Sequence, residues 1–147
     1  MEEKRALYII TEGKKDAAIL HTLLDCKNYE KVYQVAAGGY GNLSSVAKTV
    51  RLMNVPMESN DKIIIVFDAD GAEPTDRVNT MRYLTNADYD RRIGVFCFVP
   101  NIEESLFPKD YQMIKGINEE LVDYMKGHVG ELRDNGVIKE IQAFIDH

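Results

Sequence analysis

Short apolar runs alternate along this chain with apolar positions spaced at helical intervals. Ala6 to Thr11 (ALYIIT) is a strand candidate with β-branched members, followed at once by Glu12-Gly13. From Lys14 onward Ala17, Leu20 and Leu24 recur at three- and four-residue steps, with Ile19 and Leu23 widening the stripe, as on a helix packed against a sheet. Lys31 to Ala37 reads as a second strand, ending at Gly38-Gly39-Tyr40-Gly41-Asn42. A second helix is expected over Leu43 to Met53, with Val46, Val50 and Met53 as its apolar line and Pro56 beyond its end. Lys62 to Phe67 (KIIIVF) is nearly all apolar, as a strand covered on both faces must be. It runs into Asp68-Ala69-Asp70-Gly71. Pro74 then opens a helix reaching about Leu84, and Arg92 to Val99 supplies a fourth strand.

This alternation predicts an α/β fold with a four-stranded, mostly parallel sheet, right-handed crossovers and helices on both faces. After the fourth strand the pattern is helical. Ile117, Leu121, Tyr124 and Met125 form one stripe; Val137, Ile141, Phe144 and Ile145 form another, with Asn135-Gly136 as the break between segments. The expected organisation is an α/β domain over residues 1–108 and a helical C-terminal extension, 109–147, packed on the same domain. A chain of 147 residues fits one hydrophobic core rather than two.

The strand ends carry the chemistry. Acidic residues follow the first strand at Glu12, the third at Asp68 and Asp70, and the fourth at Glu103-Glu104. In an open parallel sheet these points share the edge where the carboxyl ends of the strands meet and where ligands bind. Asp68 and Asp70, one residue apart, can point at a common ion from one face of a strand or from a turn beyond it. Hard cations such as Mg2+ or Mn2+ take oxygen ligands of this kind. Each group also has an ordinary structural explanation. DADG can be an acidic turn, and Glu12 and Asp16 suit the electropositive start of a helix. Glu103 and Glu104 can decorate the first turn of a short helix; being adjacent, they point to different sides, and Glu103 is favoured for the cleft.

Composition narrows the function. The formal net charge is -6, so the chain has no broad basic footprint for holding a nucleic-acid backbone by charge alone. A carboxylate cluster filled with divalent cations would present far less negative charge to a phosphate. Lys14 and Lys15, beside Glu12, are candidate contacts for a substrate phosphate, whereas Lys48 and Arg51, three apart, could make a small basic strip but are explained as easily by a solvated helix face. The glycine-rich GGYGN lacks the lysine and Ser/Thr of a nucleotide-triphosphate loop and the spacing of a dinucleotide site; a tight turn explains it better than a phosphate cradle. His21, His128 and His147 show no metal-ligand spacing, and Cys26 and Cys97 read as buried free thiols in a reducing compartment. No apolar run approaches a membrane span, and MEEKRALYIITEG is a poor secretory leader, so a cytoplasmic location without membrane association is expected.

Two stretches in order, Ile9-Ile10-Thr11-Glu12-Gly13-Lys14-Lys15-Asp16 and Ile65-Val66-Phe67-Asp68-Ala69-Asp70, resemble the Toprim family. That module, with its Rossmann-like fold, occurs in topoisomerases, bacterial-type primases, small ribosomal-RNA maturation nucleases such as ribonuclease M5, and overcoming-lysogenization-defect nucleases. The resemblance spans about the first 108 residues. It implies that Glu12 acts as general acid or base or as a metal ligand, with Asp68 and Asp70 as the metal-binding pair. Asp16 and Glu103 match the places of two acidic residues that often complete the metal site in the nuclease branch, which implies them as further metal ligands. The resemblance thus implies Mg2+- or Mn2+-dependent phosphodiester cleavage of nucleic acid, with Glu12, Asp68 and Asp70 catalytic. It leaves room for a protein partner such as an ATPase and for a homo-oligomer. The chain lacks the tyrosine-bearing and helicase domains of larger members, so topoisomerase activity by this chain alone is not expected.

Two other readings use the same residues. One is a non-catalytic interaction module with the same fold and acidic cleft, binding nucleic acid or protein without hydrolysis. The other rests on IIIVFDADGAEPT, which resembles the opening motif of haloacid-dehalogenase-like phosphatases and implies Asp68 as nucleophile and Asp70 as acid/base. Against it, a full βαβα segment precedes the motif, Ala72 replaces the usual Thr, and no Asp-Asp pair follows.

Overall fold

A computed structural model of the chain describes residues 5–53, 60–112 and 114–147. Four strands, β1 (Ala6–Thr11), β2 (Lys31–Ala36), β3 (Lys62–Asp68) and β4 (Ile93–Phe98), form one sheet in the order β2-β1-β3-β4. Every neighbouring pair is parallel. The helices between them are α1 (Lys14–Leu23), α2 (Leu43–Met53) and α3 (Pro74–Thr85). After β4 come α4 (Ile102–Leu106), α5 (Lys109–Gln112), α6 (Glu119–Gly127), α7 (Val129–Arg133) and α8 (Gly136–Asp146). Single 3-10 turns lie at Tyr40–Asn42 and Ala87–Tyr89. The arrangement is compatible with a Rossmann-like fold.

Strand order and crossover handedness together place the helices. The step from β1 to β2 runs one way along the sheet, and those from β2 to β3 and β3 to β4 run the other way. Right-handed crossovers therefore put α1 on one face and α2 with α3 on the opposite face. The buried side chains divide in that way. Leu7, Ile9, Ile64, Val66 and Phe98 pack with α1 and with Leu121, Met125, Leu132, Ile138, Ile141 and Ile145 of the C-terminal helices. Ile10, Ile63, Ile65, Phe67, Ile93 and Val95 pack with α2 and α3. β3 lies between β1 and β4 under both layers, which is why its six residues from Lys62 to Phe67 are all buried.

Local signals account for the element ends. Pro74 occupies the first turn of α3, Glu73 caps it by accepting the Asp76 amide at 2.8 Å, and Asn86 closes it in the left-handed conformation at φ 58°. Asn135 caps α8 through the Val137 and Ile138 amides, so the expected break at Asn135-Gly136 is a helix start. On β4, Gly94 admits the α8 ring of Phe144, since a Cβ there would lie 2.9 Å from that ring.

Some packing differs from expectation. Ile117 is exposed and precedes α6, because Asn118 caps that helix by accepting the Leu121 amide at 2.8 Å. On α2 the inward positions are Leu43, Ala47 and Val50, while Met53 is 79% exposed at the helix end. Ile138 rather than Val137 joins Ile141 and Ile145 in the core. Cys26 and Cys97 are free but only half-buried. Pro56 lies outside the described residues. Among the described residues, no helix is long and apolar enough to cross a membrane.

Candidate metal centre

The crevice between β1 and β3 is where the strand order reverses, so the connections after these two strands leave toward opposite faces. Glu12 follows β1 directly, and Asp68 is the last residue of β3. Two residues beyond, Asp70 adopts a left-handed backbone at φ 46°, and Gly71 does the same at φ 84°. This conformation disfavours most side chains, though Asp tolerates it better than bulkier residues do. The chain therefore turns sharply instead of continuing as a strand. The turn is latched to the end of β4: the Ala69 amide donates to the Phe98 carbonyl at 2.9 Å, and the Asp70 amide to that of Pro100 at 3.0 Å.

The turn brings Glu12, Asp68 and Asp70 together, with one carboxylate oxygen of each lying within 4.8 Å of the others. Glu12 and Asp68 are half-buried and Asp70 is exposed, so the cluster opens on one side to solvent. Backbone amides orient two of the three. The Asp68 amide donates to Glu12 Oε1 at 3.2 Å, tying β1 to β3, and the Ile102 amide donates to Asp68 Oδ1 at 2.9 Å. Glu12 Oε2 and Asp68 Oδ2 are thereby left for another ligand. Three carboxylates converging from rigid elements, two aimed by amides, form an all-oxygen donor set suited to a hard divalent cation. The residues present fit such an ion.

Burial and charge crowding both bear on the acidities. Burial pushes the Asp68 carboxyl up to about 7, helped by the negative charges of Asp16, Glu12 and Asp70 and opposed by the Ile102 amide. Asp16 is pushed up to about 6, first by burial and then by Glu103 and Glu12, with Lys15 pulling the other way. Asp16 and Glu103 thus share the field of the cluster while standing outside the tight trio. Glu103 turns inward and Glu104 outward, as their adjacency requires.

The two lysines separate. Lys14 is exposed at the start of α1. Lys15, expected to reach a substrate phosphate, is folded inward: its ammonium pairs with Glu103 and donates to the Ile114 carbonyl. Lys15 is therefore an internal counterion tying α1 to α4 and to the segment before α6.

Sequence reasoning did not single out Arg77. It sits in the first turns of α3, donates through Nη1 to the Asp68 carbonyl at 3.1 Å, and lays its guanidinium 4.1 Å over the Tyr40 ring. The available signal was its place shortly after DxDG, which puts it over the end of β3. GGYGN lies at the same edge. The Gly38 amide donates to the Glu12 carbonyl at 2.9 Å, and Gly38 and Gly39 take φ of 85° and 137°, a turn that only glycines make without strain. His21 is a helix-face residue hydrogen-bonded to Gln34 at 2.8 Å.

The sequence matches no protein-family model, and no curated protein matches it significantly.

Proposed function

We propose that this chain is a metal-dependent phosphodiester-cleaving domain of Toprim type that acts on nucleic acid. The observation that carries the reading is the trio itself: Glu12, Asp68 and Asp70 place carboxylate oxygens within 4.8 Å of one another at the switch point of a parallel sheet. The order Glu12, then Asp68-x-Asp70, is the sequence counterpart of that geometry. Mg2+ or Mn2+ would be held by Asp68, Asp70 and Glu12, and when bound would stabilise the negative charge that develops on the scissile phosphate.

The chain's own groups have distinct parts. The amides of Asp68 and Ile102 aim Glu12 and Asp68 and leave one oxygen of each for the ion or for a proton. Asp16 and Glu103 lie in the same field, where they can serve a second ion or hold the proton of an attacking water. Lys14 is the exposed cation beside Glu12 suited to a substrate phosphate, while Lys15 neutralises Glu103. The formal charge of -6 accords with a chain that meets polyanions only through bound cations and a few local bases.

Purified protein with Mn2+ should cleave members of a panel of single- and double-stranded DNA and RNA oligonucleotides, and EDTA should abolish the activity. Glu12→Gln should remove most of the rate, because an amide neither accepts a proton nor ligates a hard cation well. Binding of a panel member without cleavage would favour the interaction module. Release of phosphate from small monoesters would favour the haloacid-dehalogenase-like alternative. Neither cleavage nor metal-dependent binding at high protein concentration would refute the nuclease reading.

A further inference from the structure

We infer that Arg77, held over the Tyr40 ring, is the residue that grips a substrate phosphate beside the carboxylate trio; the inference rests on the nuclease reading above. Its guanidinium is placed by two independent contacts. One is a hydrogen bond from Nη1 to the main-chain carbonyl of Asp68 at 3.1 Å, and Asp68 is itself a member of the trio. The other is the Tyr40 ring, 4.1 Å from the guanidinium carbon. The ring holds the guanidinium from one side and the carbonyl holds one of its N–H groups. An arginine that served only to clamp α3 to β3 would need the first contact and not the second.

The remaining donors give the group its use. A guanidinium carries five N–H groups. Among the described residues, the Asp68 carbonyl is the one hydrogen-bond acceptor that the protein supplies to the Arg77 side chain, which is half-buried rather than covered. The other donors remain for an acceptor that the protein does not provide. A phosphate oxygen pair is the ligand that matches a pre-oriented fork carrying a full positive charge, and Lys cannot reproduce that geometry. Among the described residues no carboxylate pairs with Arg77, whereas Lys15 is taken by Glu103, Arg82 by Asp88 and Arg92 by Asp90. Its charge therefore stays available at the edge where a phosphodiester must approach.

Tyr40 explains why a glycine-rich turn follows β2. Gly38 and Gly39, both in conformations open to glycine, swing the chain over the sheet edge. Tyr40 then lands in a T-shaped contact with Phe67, ring centroids 5.4 Å apart, and with Arg77 over its ring. GGYGN on this view is no phosphate cradle; it supplies the platform on which the phosphate-binding arginine rests. Tyr40 is a positioning residue and Arg77 the contacting one.

The test uses the intact chain, a nuclease panel and a labelled oligonucleotide bound in Ca2+. Arg77→Gln keeps a donor for the Asp68 carbonyl and removes the charge. We expect it to weaken binding by about tenfold or more and to reduce the slope of log K against log salt by about one. Cleavage in Mn2+ should show KM raised more than kcat is lowered, with Mn2+ binding in the absence of oligonucleotide not weakened. Tyr40→Leu should lose part of the affinity, and Tyr40→Phe, which keeps the ring, should restore it. A folded Arg77→Gln protein with unchanged affinity and salt slope overturns the assignment while leaving the nuclease reading intact. If that variant does not fold, Arg77→Lys decides: a several-fold loss of oligonucleotide affinity at unchanged Mn2+ affinity supports the fork, and wild-type affinity overturns it. A wild-type protein that neither cuts nor binds any oligonucleotide removes both readings together.

Discussion

Replacing Asp68 by Asn should make the metal-free protein more stable at alkaline pH. Asp68 combines burial with three acidic neighbours, and its carboxyl is pushed from the ordinary 3.8 up to about 7. Between those values the folded state holds a proton that the unfolded state has released. The metal-free protein therefore loses stability as pH rises from about 4 to about 7. Taken at full weight, about 1.4 kcal/mol per pKa unit would give about 4 kcal/mol. Asp68 is only partly buried, so solvent screens much of this, and about 1–2 kcal/mol is the expected size at pH 8. For a domain of this length that corresponds to a rise in Tm of about 5 °C. The Ile102 amide, which donates to Asp68 Oδ1 at 2.9 Å, would keep an oxygen acceptor in the Asp68→Asn protein. The substituted side chain would direct an NH2 rather than a charge at Glu12 and Asp70. Calorimetric melts of both proteins in EDTA, at about pH 8 and about pH 4, give the comparison. The gain should be present at the higher pH and nearly absent at the lower, where Asp68 is protonated in the folded state and close to half-protonated in the unfolded one. Adding Mn2+ at the higher pH should reverse the order, raising the wild type and leaving the variant nearly unmoved. A variant that melts below wild type at about pH 8, or a gain that is the same at both pH values, would refute the crowding argument.

Further outcomes follow from the same structure. Mn2+ should raise the wild-type Tm more at about pH 8 than at about pH 5.5, because protons compete for Asp68 and Asp16, whose carboxyls sit near 7 and 6 without metal; differential scanning fluorimetry across pH reads this directly. Glu12→Gln should keep the Oε1 acceptor for the Asp68 amide, so its metal-free Tm should equal or exceed that of wild type while turnover of a cleaved oligonucleotide falls at least about a hundredfold. Gly94→Val should cost about 1–3 kcal/mol in urea unfolding, since even a Cβ would meet the Phe96 and Phe144 rings at 2.8 and 2.9 Å. Asn135→Ala should cost about 1 kcal/mol in the same assay by uncapping the Val137 and Ile138 amides, and should leave metal affinity unchanged.

The sequence by itself determined the four strands and the helices between them. β3 is legible because a strand covered on both faces takes apolar side chains throughout, as Ile63 to Phe67 do, and α2 because apolar residues recur at helical steps between Leu43 and Val50. The candidate carboxylates were legible for a related reason: an acidic residue directly after a buried strand must lie at the sheet's carboxyl edge whatever the strand order. Which of them meet was decided only in three dimensions. The sequence offers a turn at DADG and the resemblance groups Glu12 with the Asp pair, but the three meet because β1 and β3 are neighbours and Asp70 turns back in a left-handed conformation. The same holds for Lys15, which lies close to Glu12 in sequence but whose ammonium is held by Glu103, and for Arg77, which meets Tyr40 from a distant segment. Side chains choose such partners by reach and by competition for charge, both set by the tertiary fold, whereas helix and strand follow from hydrophobic spacing along the chain.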